Sequence, residues 1–446
     1  MDSLARSRPG NAALFTVLAL FCLALPFRVH AIGFSELVYL TPYDLLMGAA
    51  VVGLLVRVID RKQGLQFPYW QPACLLLAGQ LFSFVGGVSV YGVGALKILL
   101  AAFAAFYLGL NIPQNQKQVK RLIFLVIVAA GLVSLSSMVS VGLGQDVGYF
   151  LSHESREAAA ASFQWGSVMA VFLLGAIPFA LFTLLGDQDR LRRYVALVVV
   201  VAMTAAITLA DIRSDLLAYF VAVVPFIRSK KALLKLGGVF VLAIFVLFVL
   251  NPSVFDAVML RITMQGPTAQ SDIGNVATRL IAWQNCLQLW VMHPLFGVGA
   301  ANWRYEWINA DNADLVAPFA WVAQPHNVFM QLLAETGVVG LVTYVFFFGR
   351  IASVLRRIWR SSSRDPWVRG MAKAALVSTA AVFVAASFNG DLPYGDQISL
   401  LLFMLLGLAL RSAQLHGFEL VPARNAPVAR TAPVLTRTAM RPQASR

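Results

Sequence analysis

Three cysteines in 446 residues, Cys22, Cys74 and Cys286, with two of them inside apolar runs, supply neither a disulfide framework nor a thiolate metal site. Charge is scarce as well. Only 13% of the residues are Asp, Glu, Lys or Arg, against 59% hydrophobic residues and a mean hydropathy of +0.74, which excludes water as the main solvent. The sequence has no HExxH, no paired metal ligands at helical spacing and no phosphate-binding glycine loop, so neither a metal nor a nucleotide is implied. Helix packing is what remains to hold such a chain together.

Apolar runs long enough to cross a hydrocarbon core, each needing about 20 residues as a helix, recur from one end of the sequence to the other. Backbone polar groups find no partners in lipid, so these runs are expected to be helices and the fold an all-α polytopic membrane protein. Spans are expected near 11–27, 38–56, 71–88, 92–111, 121–143, 165–185, 194–210, 212–227, 234–250, 325–349, 370–388 and 396–411, about twelve in all. The first run, with Arg6 and Arg8 before it and His30-Ala31 after it, resembles a secretory signal. No soluble domain follows, so a retained start-transfer helix is the expected reading.

A net charge of +14 would suit nucleic acid if it lay on one globular face, but the basic residues sit in alternate short connections. These are Arg57/Arg61/Lys62, Lys117/Lys120/Arg121, Arg190/Arg192/Arg193, Arg228/Lys230/Lys231/Lys235 and Arg350/Arg356/Arg357/Arg360/Arg364. The positive-inside rule makes them cytoplasmic, with both termini. The expected organisation is nine transmembrane helices over 1–250, a long outer loop over 251–324, three further helices over 325–411, and a disordered Pro-, Ala-, Thr- and Arg-rich cytoplasmic tail over 412–446. Within the outer loop, Thr278 to Met292 mixes Leu280, Ile281, Trp283, Leu287, Trp290 and Val291 with polar residues, as an interfacial amphipathic helix does. Pro294, Gly297 and Gly299 end it in a turn, and Trp303, Trp307 and Trp321 suit a membrane-surface belt or sugar-stacking surfaces.

Basic residues should be rare on the outer side, yet Arg28, Lys97, Arg156, Arg213, Arg261, Arg279 and Arg304 all map there, which calls for an anionic partner. Arg213 stands in a tight turn between two apolar runs. Its ordinary reading is an ion pair with Asp211 or Asp215; the sharper one is a bidentate clamp on phosphate. Arg279 and Trp283, one helical turn apart, share a face, as a snorkelling Arg beside an interfacial Trp would also do. His326 stands at the re-entry into the membrane, where an imidazole serves as a general base or merely as a polar cap. Glu335, deep in the same run, should pair with a buried basic residue. His153, Glu154, Arg156 and Glu157 form a charged outer turn, and Asp44 suits a helix cap or an acceptor contact.

Arg213 in its turn, Arg279-x-x-x-Trp283, Pro294-Leu295-Phe296-Gly297-Val298-Gly299 and His326-Asn327-x-x-x-Gln331-x-x-x-Glu335-Thr336-Gly337-x-x-Gly340 together resemble the bacterial O-antigen ligase family, whose superfamily also holds O-antigen polymerases. The likeness is best from about Ala158 to Phe348, and the His326 segment is its most specific part. It implies a metal-independent, inverting glycosyltransferase of the inner membrane with a periplasmic site and no cofactor. The implied donor is a polysaccharide on undecaprenyl pyrophosphate and the acceptor a lipid A-core sugar of lipopolysaccharide. By matching position, His326 would be the base and Arg213 and Arg279 would hold the pyrophosphate; Trp283, Asn327, Glu335, Arg156, Lys97 and Arg28 are supporting candidates. Polymerases commonly show an arginine and a glycine with ten residues between them; here Val224 and Trp290 stand at those places, which favours ligase over polymerase. A transporter of a lipid-linked anion is the non-enzymatic alternative, but the short link 186–193 and the lack of an internal repeat speak against the common two-half type.

Overall fold

The computed structural model describes residues 9–27, 32–33, 39–61, 64–142, 166–210, 213–227, 229–250, 268–309, 324–361, 365–389 and 392–420. Each expected span falls on a helix. In chain order these are α1 (Pro9–Ala24), α2 (Pro42–Arg61), α3 (Trp70–Phe82), α4 (Val90–Asn111), α5 (Gln116–Gly142), α6 (Gly166–Gly186), α7 (Arg190–Leu209), α8 (Arg213–Val223) and α9 (Lys230–Leu250). Then follow α10 (Thr268–Met292), α11 (Trp303–Asn309), α12 (Val328–Arg360), α13 (Pro366–Asn389) and α14 (Asp396–Gln414). Among the described residues, eight helices are long and apolar enough to cross a membrane, and three shorter apolar stretches lie at Asn11–Ala24, Trp70–Val85 and Ser214–Phe226. The strand pairing described is a two-residue antiparallel bridge, Ile32–Gly33 with Tyr39–Leu40.

The fold is an all-α membrane bundle in which α6 and α14 run through the interior and the other helices wrap them. Of the span windows, 83% of that in α6 and 89% of that in α14 is buried by protein, against 17% for the peripheral α2, whose apolar side chains face outward. Helix α14 packs along α4, α13 along α6 and α12, and α8 along α13. Small residues let these backbones approach: a Cβ on Gly407 would meet the Phe106 carbonyl oxygen at 2.2 Å. Aromatic rings of Phe103, Phe347, Phe348, Phe383 and Phe403 fill the junction of α4, α12, α13 and α14.

Two expected boundaries are corrected. Helix α12 does not stop near 349 but continues to Arg360, because Ile351, Val354, Leu355 and Ile358 prolong a buried stripe beneath the arginines. The chain beyond 411 is not wholly loose: α14 reaches Gln414, Leu420 is buried with its carbonyl accepting from Tyr69 Oη at 2.8 Å, and Arg357 lies over the Phe418 ring. Residues 421–446 of the expected tail lie outside the described residues.

The feature that positions the site is a break in α12. Gly337 has φ 63° and ψ −169°, a combination open essentially to glycine alone, and it interrupts the hydrogen-bond ladder inside an apolar interior. The turn after α10 fills the gap. Val298 N donates to Ala334 O (3.0 Å), Gly299 N to Glu335 O (3.0 Å), Val338 N to Pro294 O (3.0 Å) and Val339 N to Leu295 O (3.2 Å). Gly297, at φ 68°, lets the turn approach: a Cβ there would lie 2.4 Å from the Glu335 carbonyl carbon.

Helices α10 and α11 seal this junction. Ala282, Cys286, Leu289, Val298, Trp303, Trp307 and Ala334 form a small core of their own. Trp303 and Trp307 are 1% and 0% exposed with ring centroids 4.7 Å apart, so they are neither a surface belt nor a sugar platform; packing against α12 consumes both indoles. Trp321 lies outside the described residues. Leu280, Leu287 and Val291 remain exposed on the other side of α10, the apolar face of a helix lying at an interface.

Gly337→Ala should therefore be destabilising, since its Cβ would meet Leu295 O at 2.3 Å, while Gly349→Ala meets open space. Backbone strain alone costs about 1–3 kcal/mol. Thermal unfolding in detergent should show a lowered midpoint for Gly337→Ala only, and equal midpoints for both variants would contradict the interlock.

Candidate functional site

The N-terminus of α12 carries the most unusual residue of this end of the bundle. Asn327 caps the helix, its Oδ1 accepting from Phe329 N at 3.0 Å and Met330 N at 3.1 Å, so capping is the work of Asn327 and not of its neighbour. His326, one residue earlier, is held at φ 54°, a left-handed conformation that a side-chain-bearing residue adopts only when its surroundings impose it. The restraints are visible. Trp283 Nε1 donates to Pro325 O at 2.9 Å, which ties the segment to α10. On the opposite side, the Asn389 carbonyl at the end of α13 accepts from Gln324 Nε2 at 3.1 Å and from His326 Nδ1 at 3.2 Å.

That last bond fixes the chemistry of the imidazole. A carbonyl can only accept, so Nδ1 must carry the hydrogen, and in the neutral ring Nε2 then holds the lone pair. Burial and the charge of Arg279 disfavour the imidazolium, and although the Asn389 carbonyl works the other way, the pKa is pushed down to about 4 from 6.5. His326 is thus a neutral imidazole at physiological pH, with its lone pair on Nε2.

Arg279 stands one helical turn before Trp283 on α10. Burial lowers its pKa and the charge of Asp215 raises it, which places a partly desolvated guanidinium within the electrostatic reach of both Asp215 and His326. Asp215, on the first turn of α8, is fully buried and its Oδ1 accepts from Asn389 Nδ2 at 2.6 Å; Ser214 Oγ donates to Asn389 Oδ1 at 3.1 Å. Asn389 therefore joins the α8 start, through its side chain, to His326, through its carbonyl. Sequence reasoning missed it. The available signal was an amide ending an otherwise apolar run, at 4% exposure.

The other expected site residues divide. Arg213 is the first residue of α8, directly before Ser214 and Asp215; its side chain lies outside the described residues, as do Arg28, Arg156, Asp211 and the 153–157 cluster. Glu335 does not pair with a buried cation among the described residues. Its Oε1 accepts from Trp303 N and Gln331 Nε2, both at 3.4 Å, so amide donors rather than a cation meet the carboxylate, and it sits at the N-terminus of α11 as part of the interlock. Burial, and after it the charge of Glu335, pushes the Tyr394 phenol well above its ordinary range. Lys97 pairs with Asp44 at 3.1 Å and lines a small cavity of about 50 Å³ with Tyr43 and Asp396, while Thr41 caps α2, its Oγ1 accepting from Asp44 N, and Asp44 Oδ2 reaches back to accept from Thr41 N and Oγ1.

Residues 198–345, about a third of the chain, match the model of the family described as O-antigen ligase, which bears out the resemblance read from the motifs. The match contains Arg213, Arg279, Trp283, His326, Glu335, Gly337 and Gly340. No curated protein matches the chain.

The depressed pKa has a sign that can be checked. Between pH 6.5 and about 4 an unfolded chain takes up a proton that native His326 refuses, so acidification through that window removes stability and none is lost above it. A histidine NMR titration of the full chain, with the resonance assigned by its loss in His326→Gln, should show this imidazole neutral until near pH 4. An inflection at 6.5 would contradict the burial and the Arg279 contact.

Proposed function

We propose that the chain is a membrane glycosyltransferase of ligase or polymerase type, and the ligase of the two; what supports this is the match of residues 198–345 to the O-antigen ligase family model within an all-α membrane bundle. In this reading it transfers a polysaccharide from undecaprenyl pyrophosphate to a lipid A-core sugar hydroxyl at the periplasmic face of the inner membrane. The observation that carries it is His326, neutral, oriented by Asn389 through Nδ1 and set beside the guanidinium of Arg279.

The acceptor hydroxyl attacks the anomeric carbon while His326 Nε2 takes its proton; the bond from that carbon to the pyrophosphate oxygen breaks, and the electron pair leaves on the pyrophosphate. A pKa near 4 makes His326 by itself a weak base. An arriving pyrophosphate reverses this, since its negative charges offset Arg279 and favour the imidazolium. Donor binding thus switches the base on. Arg279, with Arg213 at the head of α8, neutralises charge that grows as the glycosidic bond breaks, so the arginines favour the transition state over the bound donor and no metal is needed for that role. Attack from the face opposite the leaving group inverts the anomeric centre. Holding two lipid-anchored substrates in one plane supplies the rest of the advantage.

A polymerase performs the same chemistry on a different acceptor. The polymerase spacing of arginine and glycine is absent at Val224 and Trp290, which favours the ligase.

Reconstituted full-length protein given purified lipid-linked O-antigen and lipopolysaccharide should form the lipopolysaccharide conjugate, in EDTA as without it. Elongated lipid-linked glycan instead would make it a polymerase, and movement of donor without any product would make it a transporter. Arg213→Lys and Arg279→Lys keep the charge but lose the planar fork, and each should slow transfer by about 10²–10³, or 2.7–4 kcal/mol. Wild-type rates for both would remove the arginines from the leaving-group clamp.

A further inference from the structure

Arg304 is one of the basic residues expected on the outer side, and the transfer reaction does not use it. Helix α11 turns Trp303 and Trp307, one helical turn apart, into the junction with α12, and so leaves Arg304 and Tyr305 exposed. They meet Tyr91, in the first turn of α4. The Arg304 guanidinium lies over the Tyr91 ring, 4.6 Å from its centroid, and the Tyr91 and Tyr305 rings stand 5.6 Å apart with 46° between their planes. Two segments distant in sequence thus form one surface.

Backbone packing holds that surface rigid. A Cβ on Gly92 would lie 2.8 Å from Ala300 O, and one on Gly87 2.8 Å from Asn302 Nδ2, so the approach to α4 and the approach to α11 touch directly. Asn302 Nδ2 donates to Val298 O at 3.0 Å, and Trp303 N donates to Glu335 Oε1 at 3.4 Å, which ties the surface to α12. Glu335 lies about 12 Å along that helix from the Asn327 cap. A group held at Arg304 is therefore not the sugar that reacts beside His326.

An interfacial arginine resting on a tyrosine is the ordinary reading, and at an exposed site that contact is worth about 0.5–1 kcal/mol. It leaves the hydrogen-bonding capacity of Arg304 unspent. Stacking uses the face of the guanidinium and keeps its planar edge of N–H donors free. Among the described residues Arg304 makes no ion pair and no hydrogen bond, and Glu306, two positions later, does not share its face of α11. Around this edge Val88, Val90, Val93 and Leu295 are all more than half exposed, at the start of the membrane-length helix Val90–Asn111. Anion donors, an exposed phenol ring and an apolar band adjoin at headgroup level.

We propose that Arg304, Tyr305 and Tyr91 dock the phosphate-bearing sugar headgroup of the lipid-anchored acceptor. The guanidinium edge matches a pair of phosphate oxygens, the Tyr305 ring takes the C–H face of a sugar, and the exposed valines meet the acyl chains below. The proposal rests on the reading of the acceptor as a membrane-anchored glycan. The lipid-borne charge of the donor is its pyrophosphate, which that reading gives to Arg279, and an ordinary phospholipid brings no sugar for the phenol.

The full chain in neutral detergent, offered purified lipid A, the same lipid A stripped of its phosphates, or dioleoyl phosphatidylglycerol, and followed by native mass spectrometry, tests this without any transfer. Wild-type protein, which needs no variant to fold, should retain phosphorylated lipid A about tenfold more tightly than either of the others, equivalent to roughly 1.4 kcal/mol. Arg304→Gln should abolish the advantage of the phosphorylated form, and Tyr305→Ala should weaken both forms of lipid A. In the transfer assay Arg304→Gln should raise KM for lipopolysaccharide about tenfold and leave KM for the lipid-linked donor where it was. Equal retention of the two forms of lipid A overturns the proposal, as does phosphatidylglycerol held as tightly as phosphorylated lipid A or a phosphate preference that survives Arg304→Gln. Transfer without any phosphate preference sinks this site alone, whereas a preference lost in Arg304→Gln in a protein that transfers nothing upholds the site and sinks the ligase reading.

Discussion

Everything at the His326 end hangs on the broken ladder at Gly337. Inside an apolar bundle, an interrupted helix leaves amide and carbonyl groups that cost about 1–3 kcal/mol each if unmet. Four bonds from the 294–299 turn meet them, so that turn cannot move independently of α12. Helix α10 leads directly into the turn, and its Arg279 and Trp283 are thereby registered against the start of α12. A loop that would otherwise drift over the membrane surface becomes a rigid arm.

Such rigidity is what the strained His326 requires. A left-handed backbone at a non-glycine residue persists only when the surroundings over-determine it, and here the constraints come from three helices: Trp283 of α10 on the Pro325 carbonyl, the Asn327 cap of α12, and the Asn389 carbonyl of α13. The same Asn389 grips Ser214 and Asp215, so the head of α8, which begins at Arg213, is referred to the same point. One buried residue thus sets the tautomer of His326, through its backbone carbonyl, and the placement of an arginine-bearing helix, through its side-chain amide.

The helical bundle was legible in the sequence because apolar runs of membrane length leave the backbone no alternative. The turn over Pro294 to Gly299 was legible too, from residues that need unusual backbone angles. The break at Gly337, which entered only as one position of a motif, was not, and neither was the pairing of the two segments, since pairing between distant segments leaves no local periodicity. Trp303 and Trp307 were misjudged for a related reason: an indole suits a wet interface and a dry junction alike, and only the closeness of α11 to α12 decides. Glu335 was expected to need a cation because buried carboxylates usually do, yet amide donors at a helix start serve it. Asn389 carried no motif, and its importance lies wholly in what it touches.

The central claim is that His326 accepts the proton in the transfer step and does not merely shape the pocket. Single-turnover transfer by His326→Ala, with binding of the lipid-linked donor measured separately, addresses it most directly. The expected result is a folded protein that binds donor as the wild type does, since the proposed mechanism gives the pyrophosphate to the arginines, and transfers it about 10²–10⁴ times more slowly. Near-normal transfer would contradict the claim, and lost donor binding with an unchanged rate from the bound state would make His326 a recognition residue instead.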